Sequence, residues 1–228
     1  GKGPNARGLN RRQVFHATDA SLRRLGISEI DILYLHKEDH ATPLAETVGA
    51  LADLMRAGKI RYFGVSNYRS WRIAEICRIC DELGIVRPVV SQPLYNLLNR
   101  EVETEHLPAC GHFGLGVVPY SPLARGVLTG KYTPDVPPQP GTRAGRQDRR
   151  MLESEWRPES LRIAKRVAAH AEHKHMTAAQ FAMAWILNNR LITGAVAGPR
   201  TEEQWDAYMA SLGCRLDGED EAFVDRLV

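Results

Sequence analysis

The chain has 228 residues, 43% of them hydrophobic and 25% charged, a composition suited to one large α/β domain or two small ones. A formal charge of +3, spread along the chain, gives no case for nucleic acid and only a weak pull on small anions. No apolar run is long enough to span a bilayer, no signal peptide opens the sequence, and four cysteines do not make a secreted disulfide framework, so the expectation is a cytoplasmic protein with no membrane partner.

Residues 1–10 read as a Gly-containing loop, and 11–25 as an amphipathic helix that turns Val14, Thr18, Ser21, Leu22 and Leu25 inward and stops at Gly26. Residues 30–35 are apolar at nearly every position, as in a parallel strand covered on both faces, and end abruptly in His36 and a charged loop. A helix over 44–57 turns Leu44, Val48, Leu51, Leu54 and Met55 inward and stops at Gly58. The strand 60–65 runs into Ser66-Asn67. A helix over 71–83 carries Ile73, Ile76, Cys77 and Cys80 on one face, and the short strand 89–91 ends at Gln92. Residues 101–113 read as helical despite Pro108, and the strand 115–118 leads into Pro119-Tyr120-Ser121. Residues 133–150, rich in Pro, Gly and Arg, read as a long surface loop of the kind that serves as a functional lid. Helices over 158–173 and 177–188, a fifth strand over 191–197, a helix opened by a Thr201-Glu202-Glu203-Gln204 capping box and a short helix over 217–227 complete the chain.

Strands that start near 30, 60, 89 and 115 with helices between them have the βαβ rhythm of a parallel sheet. A doubly wound nucleotide-binding sheet would carry a Gly-rich turn after its first strand, and none follows any strand here. In a (β/α)8 TIM barrel every strand delivers residues to one carboxyl-end face, and a phosphate site often follows the last strands. Gly198-Pro199-Arg200, running into a capped helix start, suits such a phosphate. The barrel is the better fit, but five strands cannot close one, and two sheet edges would lack partners.

The order Leu33-Tyr34-Leu35-His36-x-x-Asp39, Gly58-Lys59-Ile60-Arg61-Tyr62-x-Gly64-Val65-Ser66-Asn67, Gln92-Pro93-Leu94-Tyr95-Asn96-Leu97-Leu98-Asn99-Arg100, Tyr120-Ser121-Pro122-Leu123-Ala124-Arg125-Gly126-Val127-Leu128-Thr129-Gly130-Lys131-Tyr132 and Gly198-Pro199-Arg200-Thr201-x-x-Gln204 resembles the aldo-keto reductase superfamily. The Leu97-Leu98-Asn99-Arg100 segment and the long loop resemble its bacterial branch related to potassium-channel β subunits and aryl-alcohol dehydrogenases. The resemblance runs from about residue 8 to the C-terminus. It implies a single (β/α)8 barrel domain over 1–228, incomplete at its N-terminus, with about strands 4–8 present. It also implies NADP(H) as cofactor, reduction of an aldehyde or ketone by hydride transfer and a small carbonyl substrate, with an oligomer possible.

Of the family's catalytic Asp, Tyr, Lys and His, the resemblance supplies only His36. Lys2 sits too late to be the lysine, so the 228-residue chain alone is expected to be inactive. Ser66, Asn67 and Gln92 resemble the residues that hold the nicotinamide carboxamide, a group needing both donors and acceptors. Tyr120 resembles the aromatic that stacks on the nicotinamide. Ser121, Leu123, Arg125, Gly126 and Lys131 resemble the pyrophosphate loop, and Arg143 the lid arginine. Gly198, Arg200 and Gln204 resemble the contacts to the adenosine and its 2′-phosphate, which favours NADPH over NADH. The family pattern continues with Glu-Asn where this chain has Ala207 and Tyr208, so Tyr208 offers a stacking face there. A non-catalytic NADP(H)-binding sensor is the alternative to an enzyme, and a phosphate-binding barrel lyase rests on Gly198–Arg200 alone. The Cys77-x-x-Cys80 pair reads as core packing, and His170, His173 and His175 as surface positions, so no metal site is expected.

Overall fold

The computed structural model describes residues 7–227, so part of the expected 1–10 loop, including Lys2, lies outside the described residues. The chain divides into two compact units. One comprises Gly1–Pro93 and Glu103–Val117, the other Leu94–Val102 and Val118–Val228.

The first unit holds the sheet. Strands β1 (Ile30–Leu35), β2 (Ile60–Ser66), β3 (Val90–Gln92) and β4 (Gly116–Val117) lie in the order β1-β2-β3-β4, and every pairing is parallel. The register sets Leu35 against Val65, Gly64 against Val90 and Ser66 against Gln92, so the strand ends that carry candidate residues fall side by side. Helices α1 (Arg11–Leu25), α2 (Leu44–Arg56), α3 (Ser70–Leu83) and α4 (His106–Phe113) follow one another as neighbours, α1 on α2, α2 on α3 and α3 on α4. Their inward residues make the expected core: Val48, Leu51, Leu54, Ile73, Ile76 and Cys80 are fully buried, as are Phe63 and Val65 of β2. The Asn10 side chain accepts the Gln13 N–H at 3.0 Å to start α1, a cap worth about 1 kcal/mol. Cys77, Cys80 and Cys110 are buried free thiols, and burial pushes the Cys80 thiol up to about 12.

Gly64 shows how tightly these strands approach. A Cβ built there would lie 2.6 Å from Val90 Cγ1, 2.9 Å from the Val90 carbonyl oxygen and 3.0 Å from Tyr34 Cε1. Only glycine fits that crossing.

Three expectations change here. β1 is not buried on both faces: Asp31 is exposed and Ile32 is 39% exposed, because β1 is an edge of the described sheet, with β2 as its ladder partner. Leu25, expected inward, is exposed at the end of α1. The helix expected over 101–113 is instead a single 3-10 turn, Glu101–Glu103, and then α4. Pro108 thereby falls in the first turn of α4, where its missing N–H breaks no helical hydrogen bond.

The second unit is helical: α5 (Arg149–Ser154), α6 (Pro158–His173), α7 (Ala178–Asn188), α8 (Glu202–Met209) and α9 (Gly218–Asp225). Its core gathers Leu97, Val127, Leu128, Met151, Val167, Phe181, Ala182 and Val224. Thr177 and Gln180 form a reciprocal capping box on α7, and Asp217 and Asp220 do the same on α9. Helix α5 lies partly within the expected long loop. Asp148 caps it by accepting the Met151 N–H at 2.9 Å, and buried Met151 anchors it beneath the Tyr132 hydroxyl.

Residues 191–197 do not form the expected fifth strand. The Val196 N–H donates to the Pro119 carbonyl at 2.9 Å, and one such bond does not make a ladder. His170 is not a surface residue either. Its Nε2 lies 2.7 Å from Asp220 Oδ1, and its ring stacks on Phe223 with centroids 3.9 Å apart. Among the described residues no helix is long and apolar enough to cross a membrane, and no group of three or more His, Cys, Asp or Glu is placed to hold a metal ion.

Candidate functional site

In the first unit the candidate residues sit at the carboxyl ends of three neighbouring strands. His36 follows β1 and is exposed. Ser66 ends β2 and is buried, with its hydroxyl donating to the Gln92 carbonyl at 2.8 Å. Asn67 takes a left-handed backbone (φ 58°), which brings its Nδ2 within 3.0 Å of both the His36 carbonyl oxygen and Ser66 Oγ. Asparagine tolerates that conformation better than most residues. Gln92, half-buried at the end of β3, is hydrogen-bonded through its side chain to the Tyr34 hydroxyl, whose pKa burial raises and this bond lowers. His36, Ser66, Asn67 and Gln92 thus belong to one hydrogen-bonded chain of strand ends. Asp39 does not pair with His36. Its carboxylate accepts the Leu9 N–H at 2.7 Å, the Ala41 N–H at 2.9 Å and the Thr42 hydroxyl at 2.6 Å. The Thr42 bond, helped by these backbone donors, holds the Asp39 pKa below its usual value against the effect of burial.

In the second unit the stretch after Pro119 is a tight turn. Tyr120 pairs with Leu94 in a parallel bridge and is half-buried. Ser121, Ala124, Arg125 and Gly126 all have positive φ, at 56°, 46°, 54° and 98°. Two of their N–H groups are used within the turn itself, Ala124 donating to the Ser121 carbonyl at 2.9 Å and Gly126 to the Leu123 carbonyl at 2.7 Å. Leu123 contributes backbone only, since its side chain is in the core. The exposed Lys131 folds back over this turn: a Cβ on Gly126 would lie 3.5 Å from Lys131 Nζ. Buried Asn96 fastens the loop from behind by donating to the Ser121 carbonyl at 3.0 Å. Burial raises the Tyr120 hydroxyl pKa, and the nearby Arg125 charge opposes the rise.

Arg143 lies in a pinned turn. The Thr142 hydroxyl donates to the Gln139 carbonyl at 2.6 Å, and the Arg143 carbonyl accepts the Asp148 N–H at 3.2 Å. Its charge reaches Tyr208, whose hydroxyl pKa burial raises. Gly198, Arg200 and Gln204 stand exposed at the start of α8. Half of the expected capping box forms, with Thr201 Oγ accepting the Gln204 N–H at 3.4 Å. The Gln204 carbonyl oxygen instead accepts the Arg200 N–H at 2.9 Å, which ties two of the candidate residues together. Glu202 and Glu203 already place negative charge at this helix start, so Arg200 is the group there that offsets them toward an anion.

Sequence reasoning missed Glu155. It is 3% exposed and lies close enough to Arg125 and Tyr120 to act on both, and it is hydrogen-bonded to Asn99. Nothing in Glu153-Ser154-Glu155 separates it from its exposed neighbour. Tyr34 was also missed, although its place two residues before His36, on the same side of an extended chain, was a usable signal.

Each unit has polar groups of its own: the first a strand-end group rich in amide and hydroxyl, the second a tight turn beside Arg125 and Lys131. Parallel strands delivering such residues at their carboxyl ends fit the α/β-barrel class of protein, of which this chain supplies a four-stranded part. The sequence pattern of the Aldo/keto reductase family matches residues 1–228, and the chain belongs to that family. It is 36% identical over 213 residues to a "Probable voltage-gated potassium channel subunit beta" of Arabidopsis thaliana, covering 93% of this chain and 65% of that protein. It is 48% identical over 114 residues to the human "Aflatoxin B1 aldehyde reductase member 2", covering 50% of this chain and 32% of the relative. An aldo-keto reductase of Metarhizium robertsii is 34% identical over 223 residues, covering 98% of this chain and 59% of the relative. The chain therefore spans less than two thirds of the length of these relatives.

Proposed function

We propose that this chain serves an NADP(H)-dependent oxidoreductase that reduces aldehydes or ketones, with residues 1–228 belonging to a single barrel domain. The observation that carries the reading is the tight turn through Ser121, Ala124, Arg125 and Gly126 with Lys131 over it, which brings two cations together where a pyrophosphate would lie. Arg143 would cover that group, and Gly198, Arg200 and Gln204 would meet the adenosine and its 2′-phosphate, with Tyr208 offering a stacking face. Ser66, Asn67 and Gln92 would hold a carboxamide, and Tyr120 would offer its face to a nicotinamide ring.

NADPH, when bound, supplies the hydride. His36 would donate a hydrogen bond to the substrate carbonyl oxygen, which stabilises the negative charge that grows there. The Asn67 bond to its backbone carbonyl keeps the base of that side chain in place. His36 is the one member of the expected Asp, Tyr, Lys and His set assigned within these residues, so the 228-residue chain is expected to turn over no carbonyl by itself. The plant relative's name favours a second reading, an NADP(H)-binding regulatory subunit without turnover.

The test is a fluorescence titration of the purified chain with NADPH and NADH. Lys131→Met should weaken both nucleotides about tenfold, and Arg200→Met only NADPH, since one extra charged contact contributes about 1–2 kcal/mol. Absence of any response to NADPH would overturn the cofactor reading. Tight binding without reduction of a model aldehyde by the complete gene product would favour the regulatory subunit.

A further inference from the structure

We infer that Arg72 is a positioning residue for His36, because its buried guanidinium fastens Glu38, Asp39 and His40, in the loop that follows His36, to the start of α3. Arg72 is the third residue of that helix and is 8% exposed. Its Nη2 donates to the Asp39 carbonyl at 3.3 Å, and its Nη1 lies 3.3 Å from His40 Nδ1. Its Nε stands 3.9 Å from Glu38 Oε1. One guanidinium thus meets Glu38, Asp39 and His40 in succession.

The loop answers in kind. α3 has no side-chain cap of its own from Arg69, and Glu38 supplies one from outside by accepting the Arg69 N–H at 2.7 Å. That carboxylate, whose side chain is only 8% exposed, sits at the positive end of the helix dipole and also lies 3.1 Å from His40 Nε2. The near end of the loop is held by Asn67 at the His36 carbonyl, and the far end by Asp39 on Leu9, Ala41 and Thr42. Arg72 clamps the middle.

A surface ion pair needs none of this burial, and a core arginine serving packing alone would not reach a loop carbonyl. Arg72 Nε and the hydroxyl of the adjacent buried Tyr68 are both without a hydrogen-bond partner among the described residues. The guanidinium therefore spends its other two nitrogens on the loop while leaving Nε unsatisfied. Such an arrangement makes loop geometry sensitive to this one side chain.

This inference rests on the reading of His36 as the carbonyl-facing group, and its test separates the two. The ring signals of His36 are followed by ¹H–¹⁵N correlation in the 228-residue chain, assigned with His36→Gln. Arg72→Met should shift and broaden them, and Arg72→Lys, which keeps the charge but cannot reach three residues at once, should fall between. In the complete gene product Arg72→Met should lower kcat about tenfold with KM for NADPH unchanged, the size expected for a small displacement of a reacting group. Unmoved His36 signals and an unchanged kcat in folded Arg72→Met would overturn the inference. If Arg72→Met does not fold, Arg72→Lys and Glu38→Gln make the same comparison, and unmoved signals in both would overturn it equally. Shifted His36 signals in a gene product that reduces no carbonyl would uphold the clamp and sink the reductase reading.

Discussion

Asn67 Nδ2 donates to the backbone carbonyl of His36 at 3.0 Å, joining the end of β2 to the end of β1. No ladder bond does this job, because both residues lie just past the last paired position, Leu35 with Val65. The left-handed φ of Asn67 is what turns its amide back toward β1.

Asn67→Gly keeps that backbone conformation but removes the amide. The variant should fold with a loss of about 1 kcal/mol, the usual contribution of one hydrogen bond. NADPH affinity should fall about tenfold if the amide also meets a carboxamide. Urea unfolding and nucleotide titration of the same sample separate the two effects, and unchanged affinity would remove Asn67 from the cofactor site.

His106 gives the first unit an acid-sensitive core. It is 8% exposed, its Nε2 lies 2.8 Å from Ser91 Oγ, and burial lowers its pKa below the ordinary 6.5. The folded state therefore binds its proton less readily than the unfolded state. Stability is full above the ordinary histidine value and declines as pH falls from there toward the folded pKa. His106→Gln should lose stability at pH 8 and show a flatter dependence between pH 7 and 5. Urea midpoints at those pH values check it.

Glu155 should give the second unit the opposite slope. Burial raises its carboxyl pKa above the usual 4.5, opposed by the Arg125 charge, the Asn99 hydrogen bond and the Arg157 charge. Here the folded state holds the proton more readily, so stability declines as pH rises from the ordinary carboxyl value through the raised one. Glu155→Gln should abolish that decline. An unchanged unfolding profile from pH 4 to 7 in the variant would show that Glu155 does not govern it.

Gly64→Ala places a methyl 2.6 Å from Val90 Cγ1 and 2.9 Å from the Val90 carbonyl oxygen. Overpacking against backbone should cost about 3 kcal/mol. Adding Val90→Ala removes only the side-chain clash, so it should not restore stability. Full rescue in the double variant would mean that the strands can separate more readily than their register implies.

Sequence was sufficient where local rules and tertiary packing agree. The period of Leu44, Val48, Leu51 and Leu54 marks a helix face, Gly26 and Gly84 stop helices with left-handed backbone, and Thr177 opens α7 as its side chain requires. The positions of His36, Ser66, Asn67 and Gln92 at strand ends were legible because each lies one or two residues past an apolar run, while roles for them came only from the family resemblance. Residues 191–197 were not. Their apolar pattern satisfies a strand, but a strand exists only where a neighbour supplies a ladder, and pairing is a property of distant segments.

Composition, periodicity and ordered motifs by themselves determined an α/β chain of parallel strands and the set of side chains available for chemistry. Tertiary structure alone decided which of those groups are buried and what they touch. Arg72 reaches three loop residues 32 to 34 positions away, Glu155 lies buried beside Arg125, and Gln204 spends its carbonyl on Arg200 rather than on Thr201. Electrostatic and hydrogen-bond energies depend on distance and desolvation. For residues far apart in the chain, both are set by the fold and not by sequence spacing.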